Sequence, residues 1–187
     1  IAIGMSDNRM LNIVDEDGNI LGEETREDIH ANGLMHREIH VWFYTPDGEV
    51  IFQHRAKDKD TYPDLLDATV GGHVEIGSDY VNTAIQEITE ETGIRIERSG
   101  LVQMKIDRVD SFDEQTKKRN NSLRAIFAYC YKGRLEDLEV EEGKAIGFES
   151  WPIEKLLNMP QEEKRRFIPT VFEEKNLETF IKIRESL

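Results

Sequence analysis

Apolar and polar residues alternate along the first third of this 187-residue chain and switch to a helical spacing after residue 78. "MLNIVDEDGNILGEE" places two short runs around Asp17-Gly18, the residue pair of a tight hairpin turn. "REIHVWFYTPDGEVIFQHRA" repeats that design with stronger strands on either side of Pro46-Asp47-Gly48. The polar loop "KDKDTYPD" then leads to "LLDATVGGHV", a strand running into glycines. Between residues 81 and 92, Val81, Ala84, Ile85, Ile88 and Thr92 fall in one sector of a helix wound at about 100° per residue. Ser78 is the expected cap of that helix and Gly93 its expected stop.

Farther on, "IRIERSGLVQMKIDRVDSF" and "SLRAIFAYCYKG" read as strands joined by the charged "DEQTKKRNN". "GFESWPIEKLLNM" predicts a strand passing into a helix whose first residue is Pro152, and the spacing after Pro169 predicts a final helix. Strands and helices mix without regular βαβ alternation, so the expected class is α/β in the broad, α+β sense: a mixed sheet with helices on its faces. The length suits one hydrophobic core. We expect residues 1–35 to form a strand or hairpin extension packed on a domain spanning 36–187, with "IAIG" outside the fold.

The predicted helix carries a second pattern. Glu87, Glu90 and Glu91 lie within about 100° of one another beside the apolar stripe. Like charges at these spacings repel by a few tenths of a kcal/mol per pair in an exposed helix. The ridge is therefore either a solvated face or a seat for a hard divalent cation, which takes carboxylate, water and phosphate oxygens. Glu87 and Glu91, one turn apart, can reach a common point. Gly71 and Gly72 leave the backbone open to close approach, or simply form a tight loop.

A net charge of −14 opposes binding to nucleic acid or anionic membranes and favours a cation bridge to any phosphorylated substrate. The longest apolar run, "AIFAYCY", is too short to span a bilayer, and a cytoplasmic location is expected. Cys130 is the single cysteine, expected as a buried structural thiol.

Residues 72–94 resemble a Nudix box, in which Gly, five residues, Glu and seven residues precede Arg-Glu-apolar-x-Glu-Glu-x-Gly-apolar. Gly72, Glu87, Ile88, Glu90, Glu91, Gly93 and Ile94 match; Ser78 stands for the Glu and Gln86 for the Arg. The stretch from His30 to Gly77 also resembles the Nudix subgroup near isopentenyl-diphosphate isomerase. The resemblance implies an α/β/α sandwich, and metal, Mg²⁺ or Mn²⁺, on Glu87, Glu90 and Glu91. Glu90 and Glu91 would then be catalytic in cleaving the pyrophosphate of a nucleoside diphosphate derivative or similar small-molecule diphosphate. Homodimers are common in the family.

Arg55, Lys57 and Lys59 are candidates for holding phosphates, or else an exposed mixed-charge loop; Gly72 would let the backbone approach substrate. Glu142, beside Glu141, is an additional base or ligand candidate, or part of a solvated acidic loop. Replacing the charged Glu–Arg brace by Ser78 and Gln86 leaves open a catalytically weak or inactive binding module. A Ser78–Gln86 hydrogen bond, or Ser78 as cap, would preserve the geometry. His30, His36 and His73 correspond to metal ligands of the isomerase, but without its other ligands they read as structural or loop histidines first. The isomerase's cysteine falls at Gly71, and its strand glutamates at Asn120, Asn121 and Ser122, which argues against that chemistry.

Overall fold

A computed structural model describes residues 8–59 and 61–187; "IAIG" and Asp60 of the polar loop lie outside the described residues. In chain order the elements are β1 (Met10–Val14), β2 (Ile20–Thr25), α1 (Arg26–Asn32), β3 (His36–Tyr44), β4 (Glu49–Arg55), β5 (Leu66–Asp67) and β6 (Val70–His73). They continue with α2 (Tyr80–Thr92), β7 (Leu101–Asp113), β8 (Lys118–Cys130), β9 (Ala145–Pro152), α3 (Ile153–Leu157) and α4 (Glu174–Glu185).

β1 and β2 form an antiparallel pair on their own. β3 organises the second sheet. It pairs parallel with β8 along its whole length, antiparallel with β6 at Glu38–Val41, and antiparallel with β4 at Phe43 and Tyr44. β4 also pairs with β5 and β9, and β7 closes the other side by pairing with β8. The sheet is mixed, as the absence of regular alternation predicts.

Side chains alternate across β3, so its apolar run supplies both faces. Ile39, Val41 and Phe43 pack with Val70, Phe127 and the α2 residues Ala84 and Ile88. Trp42 faces the opposite side, with Phe52, Phe167 and residues of α3 and α4. Phe180 of α4 meets the Trp42 ring edge-on at 4.9 Å. Helices thus cover both faces, giving the expected α/β/α layering. The N-terminal hairpin adds Leu11 and Val14 to the buried residues, and Val14 N donates to Met35 O at 2.9 Å.

Several local expectations are corrected. Asp79, not Ser78, caps α2: its carboxylate accepts from Asn82 N at 2.8 Å. Carboxylate acceptors are as effective as hydroxyls there, and adjacent candidates are hard to rank from sequence. Residues 94–97 are not a strand. The expected 113–121 connection shrinks to a turn over 114–117, because strand pairing carries Lys118–Ser122 into β8. Helix α3 begins at Ile153, with Pro152 as its preceding cap residue. Cys130, at the end of β8, is half-buried. α1 has no counterpart in the expected elements; it is seven residues long, begins at the Thr25 cap and ends at Gly33 in left-handed geometry.

Phe180→Ala removes a fully buried ring where three aromatic side chains meet. It should lower unfolding free energy by about 3–5 kcal/mol in a chemical denaturation series.

Candidate active site

The acid ridge is placed by the way α2 docks. Ala84 and Ile88 anchor the helix in the core, and this turns Glu91 inward: only 1% of it is exposed. Gly71 N–H donates to Glu91 Oε2 at 2.9 Å, so the β6 backbone holds one oxygen of the carboxylate. Glu87 lies over the next residue. A Cβ at Gly72 would stand 2.6 Å from Glu87 Cδ and push that side chain aside. Gly72 therefore admits Glu87 against the strand, whereas a Cβ at Gly71 would meet His40.

Lys144, in the turn before β9, completes the cluster. Its ammonium contacts Glu91 directly and stands 3.5 Å from Glu141 Oε2 and 3.8 Å from Glu87 Oε2. Burial pushes both Glu87 and Glu91 up to about 7, with Lys144 working in the opposite direction. Two carboxylates that resist ionisation and share a positive charge are a donor set suited to a hard cation. Glu87 and Glu91 would be its holders. Sequence reasoning passed over Lys144, although it is the single basic residue within "EVEEGKAIGF".

The remaining candidates are more dispersed. Glu90 is exposed and accepts from Gln86 Nε2 at 2.9 Å. The expected Ser78–Gln86 bond is replaced by this pair and by a Ser78–Thr83 hydroxyl contact at 3.2 Å. Arg55 is half-buried and braces its own loop: it donates to Thr61 O at 2.8 Å and to Tyr62 O at 3.2 Å, and pairs with Asp67. Lys57 is exposed at the start of that loop. Glu142 is exposed, whereas Glu141 is the member of the pair that reaches Lys144.

The structure gathers the three histidines that the isomerase resemblance groups. His30 comes from α1, His36 from the start of β3 and His73 from the end of β6, with ligand nitrogens within 4.8 Å of one another. His30 Nδ1 and His36 Nδ1 face the carbonyls of Arg119 and Leu34, at 3.3 and 3.2 Å, and must donate to them. Their Nε2 atoms are then bare lone pairs in the neutral rings. His36 Nε2 is buried with no hydrogen-bond partner, and His30 Nε2 stands 3.3 Å from His73 Nε2. Burial holds all three rings below the ordinary histidine range. Neutral imidazoles oriented by backbone carbonyls can bind a borderline divalent ion.

Beside them lies a buried ion pair. Glu38 accepts from Arg124, Ser122 and Asn120 on β8. Burial opposes its ionisation, yet Arg124 and the nearby imidazoles hold it well below the usual carboxylate range. Asn120 and Ser122 thus serve as donors to a carboxylate on β3.

This arrangement accompanies a clear family match. The NUDIX domain pattern matches residues 34–171, and the chain belongs to that family. It is 26% identical over 149 residues to an uncharacterized Nudix hydrolase of Clostridium acetobutylicum, covering 78% of this chain and 71% of the relative. Several other curated relatives are matched over only about half their length. Among solved structures, it resembles the DR0079 protein of Deinococcus radiodurans, with TM-score 0.65 and 19% identity over 93% of this chain and 98% of that one. A bifunctional NMN adenylyltransferase/ADP ribose pyrophosphatase of Francisella tularensis, complexed with AMP and a Mn ion, is similar at TM-score 0.52 and 15% identity, covering 80% and 41%. Family membership places the chain among the Nudix hydrolases, which act on pyrophosphate linkages. No helix among the described residues is long and apolar enough to cross a membrane.

Two outcomes follow from the site's electrostatics. Glu91 has a folded pKa of about 7, above its unfolded value, so its contribution to stability is present at low pH and lost as pH rises through 7. In chelator, Glu91→Gln should therefore gain stability relative to wild type between about pH 5 and about pH 8, by on the order of 2 kcal/mol. Parallel melts of the two proteins measure the difference, and the buried histidines cancel from it. Separately, Co²⁺ should give a visible absorption band that His36→Ala abolishes while Glu91→Gln retains it.

Proposed function

We propose that this chain is a Mg²⁺- or Mn²⁺-dependent hydrolase that cleaves the pyrophosphate linkage of a nucleoside diphosphate derivative or similar organic diphosphate. The observation that carries this reading is the convergence of Glu87, Glu91 and Glu141 on one positive charge beside the Gly71-Gly72 backbone. Bound there, a divalent ion would supply charge neutralisation and Lewis acidity toward phosphate oxygens.

The chain's own residues supply the rest. Glu87 and Glu91 would hold the ion, with one oxygen of Glu91 fixed by Gly71 N–H. Glu90, exposed on the same ridge, would offer a further ligand oxygen, and it takes the proton lost by the attacking water as the phosphoanhydride P–O bond breaks. Arg55 shapes the loop on which Lys57 meets substrate phosphates, and Gly72 keeps the strand narrow enough for Glu87 to lie across it. Glu142 is the alternative proton acceptor, on the turn that also carries Lys144. The manganese and AMP in the similar Francisella structure support the metal and nucleotide assignments.

A second reading, a weakly active or inactive binding module, is favoured by one observation: Gln86 is bonded to Glu90 and no charged brace joins it to Ser78. An isomerase is disfavoured by Gly71 at the cysteine position.

A panel of nucleotide sugars, dinucleotides, nucleoside di- and triphosphates and prenyl diphosphates, assayed with Mg²⁺ or Mn²⁺, tests the proposal by released phosphate or monophosphate. Wild type should turn over at least one diphosphate class, and Glu91→Gln should lose at least about 10²-fold in rate while keeping its fold. An inactive wild type with measurable diphosphate affinity would establish the binding reading instead.

A further inference from the structure

The position of Lys144 has a consequence for how the acid ridge takes up and uses a cation. Its backbone is fixed on both sides: Lys144 N donates to Glu141 O and Lys144 O accepts from Ala56 N, both at 3.1 Å. Only the four-carbon stem is free to move. That stem carries the ammonium to the point from which Glu87, Glu91 and Glu141 are all within 4.0 Å, and its side chain remains one-third exposed. A divalent ion binding Glu87 and Glu91 together needs the same oxygens and the same space. Two cations packed at that distance repel by several times the thermal energy in a partly buried setting.

We propose that Lys144 is a built-in counter-ion of the ridge. It competes with the divalent ion for Glu87 and Glu91, is displaced when the ion enters, and then pairs with a phosphate oxygen of the substrate. This rests on the ridge being a divalent seat and specifies how the seat is filled. Two features of the geometry fit. The ammonium is partly open to solvent, so displacement requires no opening of the fold. The turn holding Lys144 is hydrogen-bonded to Ala56, next to Arg55 and Lys57, so a displaced ammonium stays near the loop proposed to meet phosphates.

The test is Mn²⁺ titration of the chelator-stripped protein, read by the electron paramagnetic resonance signal of free Mn²⁺, for wild type, Lys144→Met and Lys144→Arg. Removing the competitor should tighten Mn²⁺ binding of Lys144→Met by about tenfold, whereas Lys144→Arg, which retains the charge, should stay close to wild type. Inorganic pyrophosphate should bind the Mn²⁺-loaded Lys144→Met protein more weakly than loaded wild type, the opposite sign to the metal effect. Unchanged or weaker Mn²⁺ binding by a folded Lys144→Met protein would overturn the proposal, since a lysine that merely supports the structure predicts that result. Absence of Mn²⁺ uptake by all three proteins would instead strike at the ridge as a divalent seat, and the competition would fall with it.

Discussion

Two carboxylates of one helix lie against the backbone of one strand, and most of the molecule can be understood as what permits that contact. Burying Glu87 and Glu91 is unfavourable in itself, as their raised pKa values record. The contact persists because α2 is held in place by Ala84 and Ile88, because β6 offers Gly71 N–H as a donor, and because Gly72 has no Cβ to collide with Glu87. Lys144 then offsets part of the charge. Without the α2 anchors, the Gly71 donor or the room at Gly72, the carboxylates would lose what fixes them against the strand.

The same strand divides the chemistry. Gly72 and its neighbour Ile39 belong to the α2 side, whereas His73 pairs in register with Glu38 and points with it to the opposite side. Alternation along β6 therefore sets the α2 carboxylates against one face and the His73 imidazole on the other, one residue apart. Carboxylate oxygens in general suit hard ions and imidazole nitrogens softer ones. Beside the imidazoles, Glu38 is held ionised by Arg124, with Ser122 and Asn120 also donating to its Oε1. His40, farther along the same face, is pushed down to about 4 by burial and stays neutral.

Much of this was legible in the residue order. The hairpin at Asp17-Gly18, the strands about Pro46-Asp47-Gly48, helix α2, its stop at Gly93 and the acid ridge all depend on local spacing, and they form where that spacing places them. Cap choice and strand ends were less legible, since Ser78 and Asp79 are both competent caps and the 114–117 turn could tighten only once β7 and β8 paired. The sequence leaves Gly72 as room for a ligand or as part of a tight loop; the group that uses that room is Glu87. Lys144, which lies 53 residues beyond Glu91 in the numbering of the chain, offered no local signal connecting the two.

Periodicity is a property of neighbours along the chain, so it was enough to define the class of fold, the amphipathic helix and the three glutamates that carry the family likeness. Which of those glutamates turns inward, which lysine meets it, and that His30, His36 and His73 share one pocket are contacts between segments far apart in the chain. They exist because β3 aligns β6 and β8 in a particular register and α2 docks across them. No spacing within a single segment encodes such a register; the packing of the whole sheet selects it.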